Sequence, residues 1–239
     1  MITSTSTGHL DFDGHRLAYR VTGEGPALVV LNLYRRRDDM VQARVLGDRW
    51  RVFQVHPLGY GYSERVPGYA GEALAAQVLA VLDHHGADRF VVWGYSQGGA
   101  MAACIARATP RTAGLVCGAY SLLDHPTDAR MRQMDRRLPP NHPSRTLWTW
   151  VKRFDWAEEL RSLHCPSLFY WGREDRNQAR GLRRAQELLG GHDLFGGQDI
   201  EFAEYAGLGH EAGGEPQFLT DTVTPMVVDW AARRVGSTW

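Results

Sequence analysis

Residues 94–98 (Gly-Tyr-Ser-Gln-Gly) constrain the fold more than any other stretch of this chain. They follow an apolar run at 89–93 that predicts a buried strand, and they precede residues 99–107, which predict a helix. A serine on a sharp turn between strand and helix projects its hydroxyl outward, and we expect a side chain in place of either glycine to clash. The peptide N–H of Gln97 then lies at a helix N-terminus, where it can stabilise a developing oxyanion. Ser96 is therefore a candidate nucleophile.

Composition narrows the class of protein. The chain has 239 residues, compatible with one α/β domain, and its hydrophobic content of 44% is enough for a sizeable core. A formal net charge of zero gives no reason to expect a nucleic-acid or anionic-membrane partner. We therefore expect neither kind of partner.

The cysteines and the N-terminus exclude further classes. Cys104, Cys117 and Cys165 have no metal-ligand spacing, so we interpret them as reduced core thiols and expect no metal. We expect no cofactor either. The first residues lack the basic and apolar regions of a signal peptide, and no apolar run reaches membrane-spanning length. The expected location is the cytoplasm.

Strand and helix patterns alternate along the chain after an opening hairpin. This alternation predicts an α/β fold: a mostly parallel central sheet of about eight strands with helices on both faces, in a single domain over residues 1–239. The predicted strands are 10–13, 16–21, 27–31, 51–55, 89–93, 114–118, 167–171 and 200–203, and the predicted helices are 39–45, 72–85, 99–107, 176–190 and 216–234.

Residues 121–165 interrupt this alternation. They contain four prolines, a charged run and three tryptophans, and they are too long for an ordinary connection. We interpret them as a short lid inserted above the carboxyl edge of the sheet, because long insertions near a site often close it. The alternative is that this segment is a surface insertion without a function.

A nucleophilic serine needs a base and an orienting carboxylate. His210 lies in a glycine-rich loop directly after the last predicted strand, at the sheet edge where the Ser96 turn also lies. Asp175 directly follows the preceding strand and is the best candidate for the acid. Glu174 and Asp124 are alternative acids, and Asp175 could instead cap the helix that begins near residue 176.

With these residues in place, the chain resembles the α/β-hydrolase fold superfamily. The order Ser96, Asp175, His210 is the order that this fold uses. The resemblance extends from the opening hairpin to the last helix, and it depends on the serine turn, on Gly-Arg-Glu-Asp at 172–175 and on Gly-His at 209–210. It implies a triad in which Asp175 orients His210 and His210 takes the proton of Ser96.

The chain departs from the family pattern at two places. The family commonly has His-Gly after the first buried parallel strand, where this chain has Asn-Leu-Tyr at 32–34. The resemblance implies that the N–H of Tyr34 is the second oxyanion donor, beside that of Gln97. An Asp that often precedes a Gly-x-Gly-x-Ser stretch is replaced by His56, which we interpret as a packing or hydrogen-bonding substitution.

Several side chains are candidates to line the site. Aromatic residues there would favour a hydrophobic or aromatic substrate, although aromatics also fill cores. Arg35 opens an arginine run that could bind a substrate carboxylate or phosphate, or could form a solvated charge cluster with the aspartates that follow. The candidates are Leu33, Tyr34, Arg35, Tyr60, Tyr95, Trp148 and Trp150.

The resemblance implies a serine hydrolase with a small-molecule substrate, namely a small ester, lactone or thioester that it cleaves through an acyl-enzyme. Two other classes stay open. The unusual residues 32–34 motivate an enzyme of the same fold with non-hydrolytic chemistry, such as a lyase, a cyclase or a cofactor-free oxygenase. A ligand-binding protein without catalysis is the third class, because fold analogy alone does not exclude it.

Overall fold

A computed structural model describes residues 5–31, 33, 41–66, 71–123, 132, 136–140, 142–176, 178–189, 199–210 and 215–236. Its centre is one open sheet of eight strands in the order β1-β2-β4-β3-β5-β6-β7-β8. The strands are β1 Thr5–Phe12, β2 His15–Thr22, β3 Ala27–Leu31, β4 Arg51–His56, β5 Phe90–Tyr95, β6 Thr112–Gly118, β7 Ser167–Gly172 and β8 Ile200–Tyr205.

Helices lie in the connections from β3 onward, and the last of them follow β8. They are α1 Val41–Leu46, α2 Gly71–His84, α3 Gln97–Ala108, α4 Pro143–Val151, α5 Trp156–Ser162, α6 Ala179–Leu189, α7 Pro216–Phe218 and α8 Thr224–Arg234, with a π-helical turn at Leu219–Val223.

The sheet is antiparallel only at its beginning. β2 pairs antiparallel with β1 and with β4, and the other neighbouring strands pair in parallel. Asp13 and Gly14 turn the opening hairpin with φ angles of 52° and 77°, the left-handed conformation that two-residue hairpin turns require. The predicted hairpin and mostly parallel sheet are confirmed.

Two apolar layers cover the sheet, one on each face. Alternate residues of a strand point to opposite faces, so Val29 and Val92 pack on the α2 and α3 side, whereas Leu28 and Val91 pack on the α1 and α8 side. Every residue of β3 is buried, as expected of a central strand covered on both faces. The prediction of helices on both faces is confirmed.

The serine turn is tighter than the sequence pattern predicts. β5 continues through Tyr95 and α3 begins at Gln97, so the turn between them consists of Ser96 alone. The helix starts two residues earlier than predicted because the carbonyl of Ser96 already accepts hydrogen bonds from the N–H groups of Gly99 and Ala100, at 2.9 and 3.4 Å.

The predicted lid segment, residues 121–165, contains α4 and α5 in its described part. Both helices pack on the α2 and α3 side of the sheet through buried Leu147, Trp156 and Leu160. The lid role itself stays a prediction.

The cysteines lie in the interior. Cys104, Cys117 and Cys165 are free and buried, and burial raises the pKa of each thiol above its ordinary value. This agrees with their interpretation as reduced core residues. Among the described helices, none is long and apolar enough to cross a membrane.

Candidate active site

Ser96 lies in a strained backbone conformation. Its φ of 54° and ψ of −123° fall in a region that residues other than glycine rarely adopt. The N–H of Ser96 donates to the carbonyl of Gly118 at the end of β6, at 2.8 Å, which ties the turn to the neighbouring strand. Strain held by such surrounding contacts is typical of active-site residues.

The two glycines that flank the turn have different roles. A Cβ at Gly94 would lie 1.9 Å from the carbonyl oxygen of Gly98, so no side chain fits there. A Cβ at Gly98 would meet no described atom within 4 Å beyond its chain neighbours and its own helix. The expectation of a clash at both glycines is therefore wrong for Gly98, because its carbonyl rather than its Cα faces Gly94.

This difference gives a matched pair of variants. We expect Gly94→Ala to lower the free energy of unfolding by about 3 kcal/mol, because the new methyl overlaps a backbone oxygen that cannot move without moving α3. Gly98→Ala adds a methyl to a helix with space around it and is expected to raise that free energy by about 0.5 kcal/mol. Urea unfolding of both variants checks this, and equal destabilisation would contradict it.

Ser96, His210 and Asp175 lie together at the carboxyl edge of the sheet. The hydroxyl of Ser96 is 2.9 Å from Nε2 of His210, and Nδ1 of His210 is 2.6 Å from Oδ2 of Asp175. An ionised carboxylate only accepts hydrogen bonds, so Nδ1 carries the proton and Nε2 is left to accept from Ser96. This is the arrangement in which an imidazole can act as a general base toward a serine.

Asp175 serves two local purposes. Its side chain is 1% exposed. While Oδ2 faces His210, Oδ1 accepts a hydrogen bond from the N–H of Gln178 just before α6, at 3.2 Å. The capping interpretation and the acid candidacy are thus compatible. The neighbouring Glu174 is exposed, and Asp124 lies outside the described residues.

The loops that hold the acid and the base are joined through their backbones. The N–H of Glu174 donates to the carbonyl of Leu208 at 3.0 Å. A Cβ at Gly172 would lie only 2.1 Å from that same oxygen, so glycine permits this approach. The hydroxyl of Tyr95 donates to the carbonyl of His210 at 2.6 Å, which connects the histidine loop to the residue before Ser96.

The other predicted site residues have different surroundings. Tyr34 and Arg35 lie outside the described residues, so the second oxyanion donor stays a prediction. Leu33 is partly buried against the core. Trp148 on α4 stacks on Tyr120, which follows β6, with ring centroids 5.3 Å apart.

Trp150 packs against a side chain of the same segment, residues 121–165. It is 4% exposed, and its ring meets that of Phe154 at 4.6 Å, edge to face. Phe154 lies in the connection between α4 and α5, and the place of Trp150 in the substrate pocket stays a prediction. Tyr95 is also a pocket candidate, and its hydroxyl donates a hydrogen bond to the backbone carbonyl of His210.

Ser144 is a residue of this region that sequence reasoning missed. It lies on α4, and its hydroxyl is 2.8 Å from the side-chain nitrogen of Gln97 and 3.0 Å from the hydroxyl of Tyr60. The signal available in the sequence was the Pro143-Ser144 pair, which is typical of a helix start but says nothing about a contact with residue 97.

His142 caps the same helix and titrates. Its Nδ1 accepts a hydrogen bond from the N–H of Ser144 at 3.2 Å. Burial, followed by the nearby charges of Arg65 and Arg145, lowers the pKa of His142 from its ordinary value of 6.5. Only neutral His142 can accept this bond. The cap is therefore intact above pH 6.5 and is lost as the pH falls through the lowered pKa.

We expect the exchange rates of the amide hydrogens of α4 to show the loss of this cap as the pH falls. Their exchange, corrected for intrinsic rates, should rise by about twofold to thirtyfold as the pH falls from about 7 through the lowered pKa, which corresponds to losing one helix cap. His142→Asn supplies an acceptor that does not titrate, so its α4 exchange should stay flat. The same pH response in both proteins would contradict the assignment.

Metal coordination has no candidate in the described ranges: no group of three or more His, Cys, Asp or Glu side chains there could hold an ion.

Comparisons with known proteins agree with this fold. No curated protein sequence matches the chain significantly. The sequence profile of the alpha/beta hydrolase fold family matches residues 30–117, which include β4, β5, Ser96 and α3.

Solved structures resemble the chain over nearly its whole length. A hydrolase from Pseudomonas aeruginosa PA01 is 21% identical, with a TM-score of 0.71 over 93% of this chain and 98% of its own. A meta-cleavage product hydrolase from Pseudomonas fluorescens IP01 is 16% identical, with a TM-score of 0.71 over 95% and 97%. A thermophilic esterase from Thermogutta terrifontis is 20% identical, with a TM-score of 0.70 over 94% and 98%. The chain thus has the α/β-hydrolase fold.

Proposed function

We propose that this protein is a serine hydrolase that cleaves a small ester, lactone or thioester through an acyl-enzyme. The observation that carries the proposal is the chain of two short contacts, from the Ser96 hydroxyl to Nε2 of His210 and from Nδ1 of His210 to Asp175. Each group has the neighbour that its role in acyl transfer requires.

In the proposed first step, Ser96 Oγ attacks the carbonyl carbon while Nε2 of His210 takes the hydroxyl proton. The negative charge that forms on the substrate oxygen is stabilised by the N–H of Gln97 at the start of α3, with the N–H of Tyr34 as the proposed second donor. Buried Asp175 keeps the imidazole oriented and stabilises its charged form.

The tetrahedral intermediate then collapses. His210 gives its proton to the leaving alcohol or thiol, and the acyl group remains on Ser96. Water enters, His210 removes a proton from it, and the resulting hydroxide attacks the acyl carbon. The acid product leaves as Ser96 regains its proton from His210.

We infer that the acyl group is hydrophobic or aromatic, because aromatic side chains pack near the serine turn. Trp148 and Tyr120 form a stacked aromatic pair where α4 meets the end of β6, close in the sheet to the strand that carries Ser96. The similar structures include an esterase and a meta-cleavage product hydrolase, which supports hydrolysis as the reaction type.

A panel of substrates tests the proposal. The purified protein is mixed with p-nitrophenyl acetate and butyrate, an aromatic ester, a lactone and an N-acetylcysteamine thioester. We expect turnover of at least one, with an initial burst of released leaving group that matches the amount of enzyme. Folded protein that turns over none of them would count against hydrolysis and in favour of non-hydrolytic chemistry on this fold.

A further inference from the structure

The side chain of Gln97 belongs to a closed ring of three hydrogen-bonding groups. Its Nε2 lies 2.7 Å from the hydroxyl of Tyr60 and 2.8 Å from that of Ser144, and the two hydroxyls are 3.0 Å apart. Tyr60 and Ser144 are 6% and 4% exposed. The ring joins three separate parts of the chain: the start of α3, the loop after β4 and the start of α4.

Proton counting fixes the orientation of the Gln97 amide. With Nε2 toward the hydroxyls, its two hydrogens go one to each, and one hydroxyl donates to the other, so all three contacts have a proton. With the amide reversed, Oε1 would take both hydroxyl protons and leave the contact between Tyr60 and Ser144 without one. Both amide hydrogens are therefore used, and the side chain is held at two points.

Further contacts hold α4 at the same place. A Cβ at Gly59, whose φ is +87°, would lie 2.5 Å from the ring of Pro143, so the loop after β4 packs directly on the first residue of α4. One helical turn beyond Ser144, Trp148 stacks on Tyr120. Residues four apart share a helix face, so Ser144 and Trp148 dock the same face of α4 on the carboxyl edge of the sheet.

We propose that Tyr60, Gln97 and Ser144 form a positioning network that fixes α4 on the serine turn and holds the N–H of Gln97 in the orientation that the oxyanion needs. This rests on the proposed function, in which that N–H is a donor. The residue that supplies the donor is the one whose side chain the network restrains, and it adjoins a serine already in a strained conformation. In this proposal α4 is held in a fixed position next to the serine turn.

Two single variants remove one hydroxyl each: Tyr60→Phe and Ser144→Ala. We expect kcat to fall by about 10- to 100-fold in each while KM stays within about a factor of two, because a misplaced oxyanion donor weakens transition-state binding more than substrate binding. The double variant should lose less than the product of the two single effects, since the first deletion already opens the ring.

Thr149→Val is the matched control. Thr149 also carries a hydroxyl on α4, but that hydroxyl donates to the carbonyl of Arg145 on the exposed side of the helix. We expect this variant to keep the kcat of the unaltered protein. A kcat in Tyr60→Phe and Ser144→Ala equal to that of Thr149→Val would overturn the proposal, as would a rise in KM alone.

Amide hydrogen exchange over α4 separates failure of the network from failure of the proposed function. We expect faster exchange in Tyr60→Phe and Ser144→Ala than in Thr149→Val, because α4 loses the buried hydrogen bond between Ser144 and Tyr60 in both variants, and in Ser144→Ala it also loses the one to Gln97. If the protein hydrolyses no substrate, the proposed function fails, and this measurement still tests the network. Identical exchange in the three variants would overturn it.

Discussion

Ser96→Ala is expected to lower kcat on any accepted ester by about 10⁴- to 10⁶-fold while the protein stays folded. The substitution removes one oxygen, the atom that bonds to the acyl carbon, so no acyl-enzyme can form. What activity remains would come from binding and oxyanion stabilisation alone. Steady-state kinetics with the best substrate of the panel measures this loss.

The fold provides the control for this variant. Alanine has the same backbone as serine and loses only the contact with Nε2 of His210, so the free energy of unfolding should change by no more than about 1 kcal/mol. A loss of activity with an unchanged unfolding transition assigns the effect to chemistry. Full turnover by folded Ser96→Ala would rule out Ser96 as the nucleophile.

Asp175→Asn is expected to lower kcat by about 10³- to 10⁴-fold. The asparagine oxygen can still accept from the N–H of Gln178, so the local cap remains. Its NH₂ group then faces Nδ1 of His210 and forces the imidazole proton onto Nε2. In that tautomer His210 cannot accept the proton of Ser96, and general-base catalysis is lost.

Glu174→Gln is the matched control for this prediction. It makes the same chemical change one residue earlier, on an exposed carboxylate that the sequence alone left open as the acid. We expect its kcat to stay within about a factor of two of the unaltered protein, because an exposed carboxylate contributes little. A large loss in Glu174→Gln with none in Asp175→Asn would reverse the assignment.

The sequence predicts the sheet well because its strands have continuous or alternating apolar patterns. Residues 27–31 are apolar throughout, and β3 has those bounds and is fully buried. Asp175 and His210 could be selected because each directly follows a predicted strand, and parallel strands end at one edge of a sheet. The contact of Asp175 with His210 then follows from the topology of β7 and β8.

Contacts between side chains from distant segments could not be predicted in this way. Nothing in the pattern around Ser144 indicates that its hydroxyl meets Gln97, 47 residues earlier in the chain. The role of Gly98 also could not be predicted, because the sequence gives a spacing of glycines but not the direction in which each Cα faces. Residue type makes Trp150 a pocket candidate, but it does not reveal that the Trp150 ring packs against Phe154 in the connection between α4 and α5.

The central claim, that Ser96 is an activated nucleophile, is tested most directly with a fluorophosphonate probe, which bonds to serines that a neighbouring base activates. The folded protein is incubated with the probe, and intact-mass and peptide mass spectrometry locate the adduct. We predict rapid, stoichiometric labelling confined to Ser96, and its loss in His210→Ala. An inert Ser96 in folded protein, or labelling at another residue with equal speed, would contradict the account.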